Sequence, residues 1–288
     1  MKDYIIFVDS ACDISCDLLN KWGVKYCSLS LAFSGNTKEY SDHEIPAHEF
    51  YEKMRNGALP KTSAANMGKF YDAFEAIVKD GYDIMYLGFS SGLSATVNFA
   101  REAAEEIMSQ YEGSKIVVVD SLCASAGYGL LVKLLVDKKA SGASIDEVAD
   151  FAENTKLKVC HWFTVDDLKY LKAGGRISAT TALLGGMLNI KPVISVEDGE
   201  IAVLGKARGS KMGNNLLVQE IEKSGGVDFE KPVMLGYSGL SDALLLKYIE
   251  DSKYLWEKGL KDIRYTAIGS VIGTHAGPGA IAAAFFKK

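Results

Sequence analysis

The stretch Ile84-Met85-Tyr86-Leu87-Gly88-Phe89-Ser90-Ser91-Gly92-Leu93-Ser94-Ala95-Thr96 decides the fold. Its first five residues have the continuous apolar character of a buried strand, and residues 97–110 have the pattern of a helix. Four hydroxyl side chains therefore lie where a parallel strand passes into a helix. The unpaired N–H groups and the positive dipole end of such a helix favour an anion. Because the stretch contains no Lys or Arg, we expect a neutral, metal-free cradle for one carboxylate or phosphate group.

Strands and helices alternate on both sides of this stretch. Strands are predicted at residues 4–8, 84–88 and 115–119 with helices between them, which is typical of a parallel sheet with right-handed crossovers. After about residue 155 the pattern changes, because Glu197-Asp198-Gly199-Glu200 is a hairpin signal and indicates antiparallel pairing. We therefore predict an α/β fold with an N-terminal parallel-sheet domain over residues 1–155 and a C-terminal mixed-sheet domain over residues 156–288.

Two Asp-Ser pairs, Asp9-Ser10 and Asp120-Ser121, each end an apolar strand of the N-terminal half. Ligands of open α/β sheets bind beyond the carboxyl ends of the strands, so both carboxylates could face a site there. Each carboxylate could equally cap a turn or the next helix. The sequence leaves both interpretations open.

Thr62 and Ser63 are a second pair of hydroxyl residues with two possible roles. They precede a predicted helix at residues 67–79 and could cap it, with Asn66 as a competitor. Their hydroxyls could instead contact the same anion as Ser94. Residues 24–33, further toward the N-terminus, are predicted to form one extended run.

The C-terminal half contains two further candidate residues. Arg176 follows a helix that Gly174 would end, and its guanidinium could donate to a carboxylate or phosphate. His275 lies in a glycine-rich segment, residues 272–279, that we predict to be a loop. A helix of small residues is predicted after it, at residues 280–286.

The composition of the 288 residues narrows the function classes. A net charge of -5 and a pI near 5.5 argue against nucleic acid as the main partner. Five cysteines without a C-x-x-C pair indicate reduced thiols in the cytoplasm, and no zinc-spaced set of His and Cys occurs. No signal peptide is recognisable, and no run approaches the ~20 apolar residues of a membrane span. We expect a cytoplasmic protein without a metal site.

A serine esterase is the alternative function. Gly88-Phe89-Ser90-Ser91-Gly92 fits the G-x-S-x-G pattern after a strand, and His275 follows in the chain order of a hydrolase triad. Ser90 or Ser94 would then be the nucleophile. The same spacing of small residues is common in loops rich in glycine and serine, so we rank this alternative below a binding protein.

Five segments in this order resemble the DegV family, and the likeness runs from the first strand to the end of the chain. They are Asp9-Ser10, Thr62-Ser63, Ser90-Ser91-Gly92-Leu93-Ser94-Ala95-Thr96, Gly174-Gly175-Arg176-Ile177-Ser178 and Ile272-Gly273-Thr274-His275-Ala276-Gly277-Pro278-Gly279. Each segment alone is a weak signal, but the ordered set is specific. The resemblance implies two α/β domains with a long-chain fatty acid held between them in an apolar tunnel, and no cofactor.

The resemblance also implies a role for particular residues. The carboxylate-binding group would be Thr62, Ser63, Ser94 and the backbone N–H of Ala95. The group at the pocket mouth, where phosphate is added or a partner binds, would be Arg176, His275 and Gly277. The chain departs from the family pattern at Ala64-Ala65, often Gln-Pro, and at Ala95, often Gly. These departures leave the preferred chain length and unsaturation of the fatty acid open.

Family members of this kind serve as the fatty-acid-binding subunit of a bacterial fatty acid kinase. By the resemblance, this chain would present the carboxylate to a separate ATP-binding kinase subunit and would not be a catalyst alone. The acyl phosphate would pass to an acyltransferase of phospholipid synthesis, with at most transient membrane contact.

Overall fold

Strands and helices alternate along the chain in the computed structural model, which describes residues 2–177, 190–208, 210–256, 259 and 263–288. The strands of this described part are β1 Tyr4–Asp9, β2 Lys25–Cys27, β3 Ser30–Phe33, β4 Glu39–Ser41, β5 Pro60–Ser63, β6 Asp83–Gly88, β7 Ile116–Asp120, β8 Val159–Thr164, β9 Ile190–Glu197, β10 Glu200–Arg208, β11 Met234–Tyr237, β12 Arg264–Ala267 and β13 Ile281–Phe286. Its helices are α1 Cys16–Lys21, α2 Ala47–Arg55, α3 Met67–Lys79, α4 Thr96–Gln110, α5 Ser125–Ala140, α6 Ile145–Thr155, α7 Lys169–Ala173, α8 Ser210–Lys223, α9 Ala243–Asp251, α10 Lys253–Trp256 and α11 Ser270–Ala276. Over these ranges no helix has the length and apolar character that a bilayer crossing requires.

The N-terminal half contains the predicted parallel sheet. Its strand order is β2-β1-β6-β7, and every neighbouring pair is parallel. All six residues of β6 are buried, as expected for a strand covered by helices on both faces. β6 is therefore an inner strand of this sheet, and the hydroxyl-rich loop after it lies at the sheet's carboxyl edge.

The C-terminal half contains the predicted mixed sheet, in the order β10-β9-β8-β13-β11-β12. The pair β11–β12 is parallel and the other neighbouring pairs are antiparallel. The turn at Asp198-Gly199 joins β9 to β10 as the hairpin signal predicts, with φ of 48° and 86°. The two sheets draw their strands from opposite sides of residue 155, while the domain boundary itself stays a prediction.

The prediction of a helix at residues 280–286 is wrong, because this segment is β13. The strand is buried along its whole length and pairs with β8 on one side and β11 on the other. Tertiary pairing overrides the helix propensity of its alanines. The prediction of a loop at 272–279 is wrong in part, because His275 lies on α11.

The extended run predicted at residues 24–33 is divided between two sheets. β2 belongs to the parallel sheet, whereas β3 forms a separate antiparallel sheet in the order β4-β3-β5. Thr62 and Ser63 lie on β5 and therefore do not cap α3. The cap is Asn66, whose Oδ1 accepts a hydrogen bond of 3.0 Å from the backbone N–H of Lys69.

Helix α5 packs between the parallel and the mixed sheet. It contacts β1 on one side and β8, β11 and β13 on the other, so it is apolar around most of its circumference. Two glycines allow the close approach. A Cβ at Gly127 would lie 1.9 Å from His161 Nε2, and one at Gly129 would lie 2.7 Å from the carbonyl oxygen of Cys12. The amino end of α5 is thereby fixed against β8.

Asp9 and Asp120 have the capping role that the sequence left open. Asp9 is fully buried and accepts hydrogen bonds from the Tyr86 hydroxyl and the Phe89 N–H, each at 2.8 Å, and from the Ala11 N–H at 3.1 Å. Asp120 accepts from the N–H groups of the loop after β6 and of the turn after β7. The two carboxylates hold these loops in place.

The burial of the Asp9 carboxyl group leads us to expect a distinct pH dependence of the free energy of unfolding. Burial raises its pKa to about 6, against the opposing effect of its hydrogen bonds, whereas its unfolded pKa is about 3.9. The folded state therefore binds more protons between these values, and the contribution of Asp9 to stability falls as the pH rises from about 4 to about 6. Relative to Asp9→Asn, the wild type should lose about 3 kcal/mol of unfolding free energy over this range. Denaturant unfolding at several pH values measures it, and parallel curves for the two proteins would contradict it.

Candidate functional site

A cavity of about 880 Å³, counting the space at its opening, is lined by residues of both halves of the chain. The apolar lining residues are Leu29, Ala64, Phe89, Leu93, Ala124, Phe163, Leu171, Val196, Ile201, Ile268, Val271, Ile272, Ala276, Ala280 and Ala282. The polar lining residues are Thr62, Ser63, Ser94, Ser125, His161, Arg176 and His275. Such a wall suits an apolar ligand with a small number of polar atoms.

Burial distinguishes the mouth of the cavity from its inner end. Ser63 is exposed, and Thr62 and Ser94 are half-buried. His161 and Ser125 are buried, with 5% and 9% of their surface exposed. Most of the predicted carboxylate-binding group therefore lies toward solvent, and a second polar pair lies inside.

Thr62 and His275 meet in the wall of the cavity although 213 residues separate them in the chain. Thr62 Oγ1 and His275 Nε2 lie 2.8 Å apart, a hydrogen bond whose donor depends on the imidazole tautomer. β5 supplies the threonine and α11 supplies the histidine. The structure thus brings together two residues that the sequence analysis placed in one site.

Arg176 corrects the expectation of a neutral cradle around Ser94. Its Nε donates to the carbonyl oxygen of Leu93 at 3.1 Å, and its Nη1 donates to the carbonyl oxygen of Gly174. The guanidinium therefore lies beside the residue that precedes Ser94, although the local sequence contains no cation. A positive charge next to the hydroxyl group favours a carboxylate or phosphate there.

His275 is neutral at physiological pH in this setting. Burial, and next the charge of Arg176, lower the pKa of His275 to about 4. A Cβ at Gly174 would lie 2.0 Å from His275 Nδ1, so the turn after α7 packs directly on the ring. Nδ1 is buried and has no hydrogen-bond partner within the described part of the chain, so Nε2 makes the polar contact of the ring there.

Three predicted residues have a more specific placement than the sequence indicated. Ser94 Oγ accepts from the Thr96 N–H at 3.3 Å and lies 2.8 Å from Thr96 Oγ1, so it also caps the start of α4. Ala95 is the exposed N-cap residue of α4. Gly277 ends α11 with a φ of 72°, and a Cβ there would lie 2.2 Å from the Tyr170 ring. Neither Ala95 nor Gly277 is among the described residues that line the cavity.

The arrangement that an esterase requires is not formed among the described residues. Ser90 is fully buried and donates its hydroxyl hydrogen bond to the carbonyl oxygen of Gly199 at 2.7 Å. His275 Nε2 contacts Thr62 instead of Ser90 or Ser94. Ser178, the last residue of the Gly174–Ser178 motif, lies outside the described residues.

His161 and Ser125 are lining residues that the sequence analysis missed as site residues. His161 lies on β8, and it also lines the cavity. Ser125 follows the turn at Leu122, and both residues have positive φ, 49° and 51°. Only the packing of α5 against β8 brings the two side chains to one cavity, so no local pattern could have indicated them.

Comparisons with known proteins agree over the whole chain. The family model "Uncharacterised protein, DegV family" matches residues 4–288. A DegV domain-containing protein of Clostridium perfringens is 40% identical over 290 residues, which cover 99% of this chain and 98% of the relative.

Two solved structures are similar in fold and in sequence. A DegV family protein from Thermus thermophilus, described for its fatty acid binding, has a TM-score of 0.86 at 28% identity and covers 100% of both chains. A stearic acid-binding protein from Eubacterium ventriosum has a TM-score of 0.86 at 28% identity and covers 99% of this chain and 98% of its own.

Proposed function

The chain belongs to the DegV family, and from that premise we propose that it binds a long-chain fatty acid and presents the carboxylate to a separate ATP-dependent fatty acid kinase subunit. The observation that carries this proposal is the apolar cavity with Thr62, His275 and Arg176 in its wall. The relatives described as fatty-acid-binding proteins support the ligand class.

The polar wall near the mouth would hold the carboxylate. In the neutral tautomer of His275 that carries its proton on Nε2, this N–H donates to Thr62 Oγ1. The threonine hydroxyl is then available to donate to the ligand. Ser63, Ser94 and the backbone N–H of Ala95 are the further donors of the proposed group. A carboxylate carried into such a site needs these hydrogen bonds, because burial without them would favour its protonation.

The apolar wall would hold the acyl chain. Burying some fourteen methylenes at ~0.8 kcal/mol each amounts to roughly 11 kcal/mol before costs. Association and ordering remove a large part of that sum. The tail therefore supplies affinity, and the polar wall fixes which end of the ligand is accessible.

The kinase subunit would supply ATP and the catalytic groups. A carboxylate oxygen of the bound fatty acid would form a bond to the γ-phosphorus, and the bond from that phosphorus to the β–γ bridging oxygen would break. Acyl phosphate and ADP are then the products. Arg176, His275 and Gly277 are the residues proposed for the mouth where this transfer takes place, and an acyltransferase would take up the acyl phosphate after transient membrane contact. We place the reaction in the cytoplasm.

Replacing both hydroxyl residues tests the head-group assignment. The double variant Thr62→Ala/Ser94→Ala should bind a fluorescent fatty acid about 10- to 100-fold more weakly, since each lost hydrogen bond to a charged group costs about 1.5–3 kcal/mol, part of which water restores. Ser91→Ala is the matched control, because Ser91 is exposed and lies in the same loop. Equal affinities of the double variant and the wild type would contradict the assignment.

Two measurements test the function as a whole. Mass spectrometry of an organic extract of the purified protein should identify a stoichiometric fatty acid. Addition of a bacterial fatty acid kinase ATP-binding subunit and ATP should then form acyl phosphate only in the presence of the loaded chain. An empty extract together with no binding on titration would overturn the ligand class, whereas binding without acyl phosphate would overturn the kinase partnership alone.

A further inference from the structure

His161 is the less exposed of the two histidines that line the cavity among the described residues. It lies on β8, has 5% of its surface exposed and lines the cavity. Its Nδ1 is buried and has no hydrogen-bond partner among the residues that the structure describes. Burial lowers the pKa of His161 to about 4, so at neutral pH the ring is neutral and has one donor and one acceptor nitrogen.

Ser125 places a second polar atom in the same recess. Its hydroxyl donates to Asp13 Oδ2 at 2.6 Å and so keeps its acceptor lone pairs, and the residue lines the cavity. It is the first residue of α5, a helix of 16 residues whose N-cap, Ala124, supplies no side-chain hydrogen bond. Gly127 of the same helix packs on the His161 ring, so the imidazole and the amino end of α5 are adjacent.

An unsubstituted acyl chain cannot satisfy this recess. A buried donor or acceptor without a partner costs about 1–3 kcal/mol, and a methylene supplies neither. An oxygen on the chain at this depth would supply both. We propose that the recess formed by His161, Ser125 and the amino end of α5 binds a hydroxyl group on the acyl chain, so that the pocket selects hydroxy fatty acids. This inference rests on the proposed function, since it assumes that the cavity holds a fatty acid.

The surroundings of the recess favour a hydroxyl over a second carboxylate. Asp13 is buried and accepts a hydrogen bond from Ser125. Burial, and next the charge of Asp42, raise the pKa of Asp13. A terminal carboxylate of the ligand would add another negative charge to this group. A hydroxyl is neutral and can donate or accept, so it matches either tautomer of His161.

The register of the strands indicates which part of the chain would carry the hydroxyl. Phe163 lies opposite Ala282, whereas His161 lies opposite Ala284, two positions further along β13. Phe163 and Ala282 also line the cavity. α11, which carries His275, leads into the start of β13, so Ala284 and the opposite His161 lie further along that strand from His275 than Ala282 does. The hydroxyl should therefore lie in the inner half of the acyl chain and not next to its carboxyl group.

Competition binding with matched acids tests the inference in the full-length protein. The probes are stearic acid, 10- and 12-hydroxystearic acid, and 2-hydroxystearic acid, whose hydroxyl lies beside the carboxyl group. For the wild type, one of the inner hydroxy acids should bind about tenfold more tightly than stearic acid, and the 2-hydroxy acid should gain nothing. His161→Leu, which removes both ring nitrogens, should abolish the preference, so that the inner hydroxy acids and stearic acid bind the variant with equal affinity. Phe163→Leu on the same strand is the control that should retain the preference.

The outcomes separate this inference from the function on which it rests. Stearic acid binding with no gain for either inner hydroxy acid would overturn the inference and leave the fatty-acid-binding function standing. A preference that His161→Leu retains would also overturn it. Absence of binding for every acid would overturn the function itself. The ligand series with the wild type alone decides the first case, so the test does not depend on the folding of the variant.

Discussion

Replacement of Asp42 by alanine is expected to lower the free energy of unfolding by about 3–4 kcal/mol. Asp42 is 4% exposed, and its Oδ1 accepts from the Ser270 N–H at 3.0 Å, the Ser270 hydroxyl at 2.7 Å and the Val271 N–H at 3.2 Å. These donors form the buried start of α11. Removing the carboxylate leaves all three without their partner and removes a negative charge from the positive end of the helix.

Two matched variants define what the Asp42 result means. Asp42→Asn keeps Oδ1 and places its amide nitrogen at the buried position of Oδ2, which no described residue contacts through a hydrogen bond, so it should cost less than half as much. Glu44→Ala removes a nearby exposed carboxylate that accepts from the Ser41 N–H and pairs with Lys38, and should cost under about 1 kcal/mol. Denaturant unfolding of the three variants measures these differences. A loss for Asp42→Ala no larger than that for Glu44→Ala would contradict the anchoring role.

Elements with a strong local pattern were predictable from the sequence. Residues 67–79 have the apolar spacing of a helix and form α3, and residues 84–88, predicted as a strand, lie within β6. The turn at Asp198-Gly199 fixed the hairpin because those residues tolerate positive φ. The confirmed α/β class follows from these elements, since alternating strands and helices predict a parallel sheet and the hairpin predicts a mixed one.

Elements whose state depends on distant partners were not predictable. Alanine favours a helix in isolation, yet residues 281–286 are held between β8 and β11, where small side chains allow α5 to pack closely. Thr62 and Ser63 have the composition of a helix cap, yet they pair with β3. The decisive interactions lie between segments that are far apart in sequence, and no local window contains them.

The candidate site shows the same division. The hydroxyl cluster before α4 was recognisable because the strand-to-helix transition has a local signature. The cation beside it, Arg176, was recognised as a separate candidate and not as a neighbour of Leu93, 83 residues away. The inner recess had no signature, because His161 has the appearance of an ordinary strand residue until α5 is packed against it.

Arg176 connects the two halves of the site, and its loss should have the largest effect on ligand binding. Its guanidinium donates to the carbonyl oxygen of Leu93 from the N-terminal half and to that of Gly174, whose turn packs on His275. The side chain thus positions Ser94 relative to the imidazole. Arg176 is also the cationic side chain among the described residues that line the cavity, and it lies next to the proposed carboxylate site.

The variant Arg176→Met should bind a fluorescent fatty acid about 100-fold more weakly than the wild type, because it removes a charge-assisted contact and the fixed distance between two walls of the site. Arg176→Lys should recover little of this loss, since one ammonium group cannot reproduce the planar fork that bonds both carbonyl oxygens. Lys172→Met is the control, because it removes an exposed positive charge from the preceding helix and makes neither contact. Fluorescence titration measures the affinities, and thermal unfolding verifies that the variants are folded. Equal affinities of Arg176→Met and Lys172→Met would show that the guanidinium neither holds the site together nor contacts the ligand.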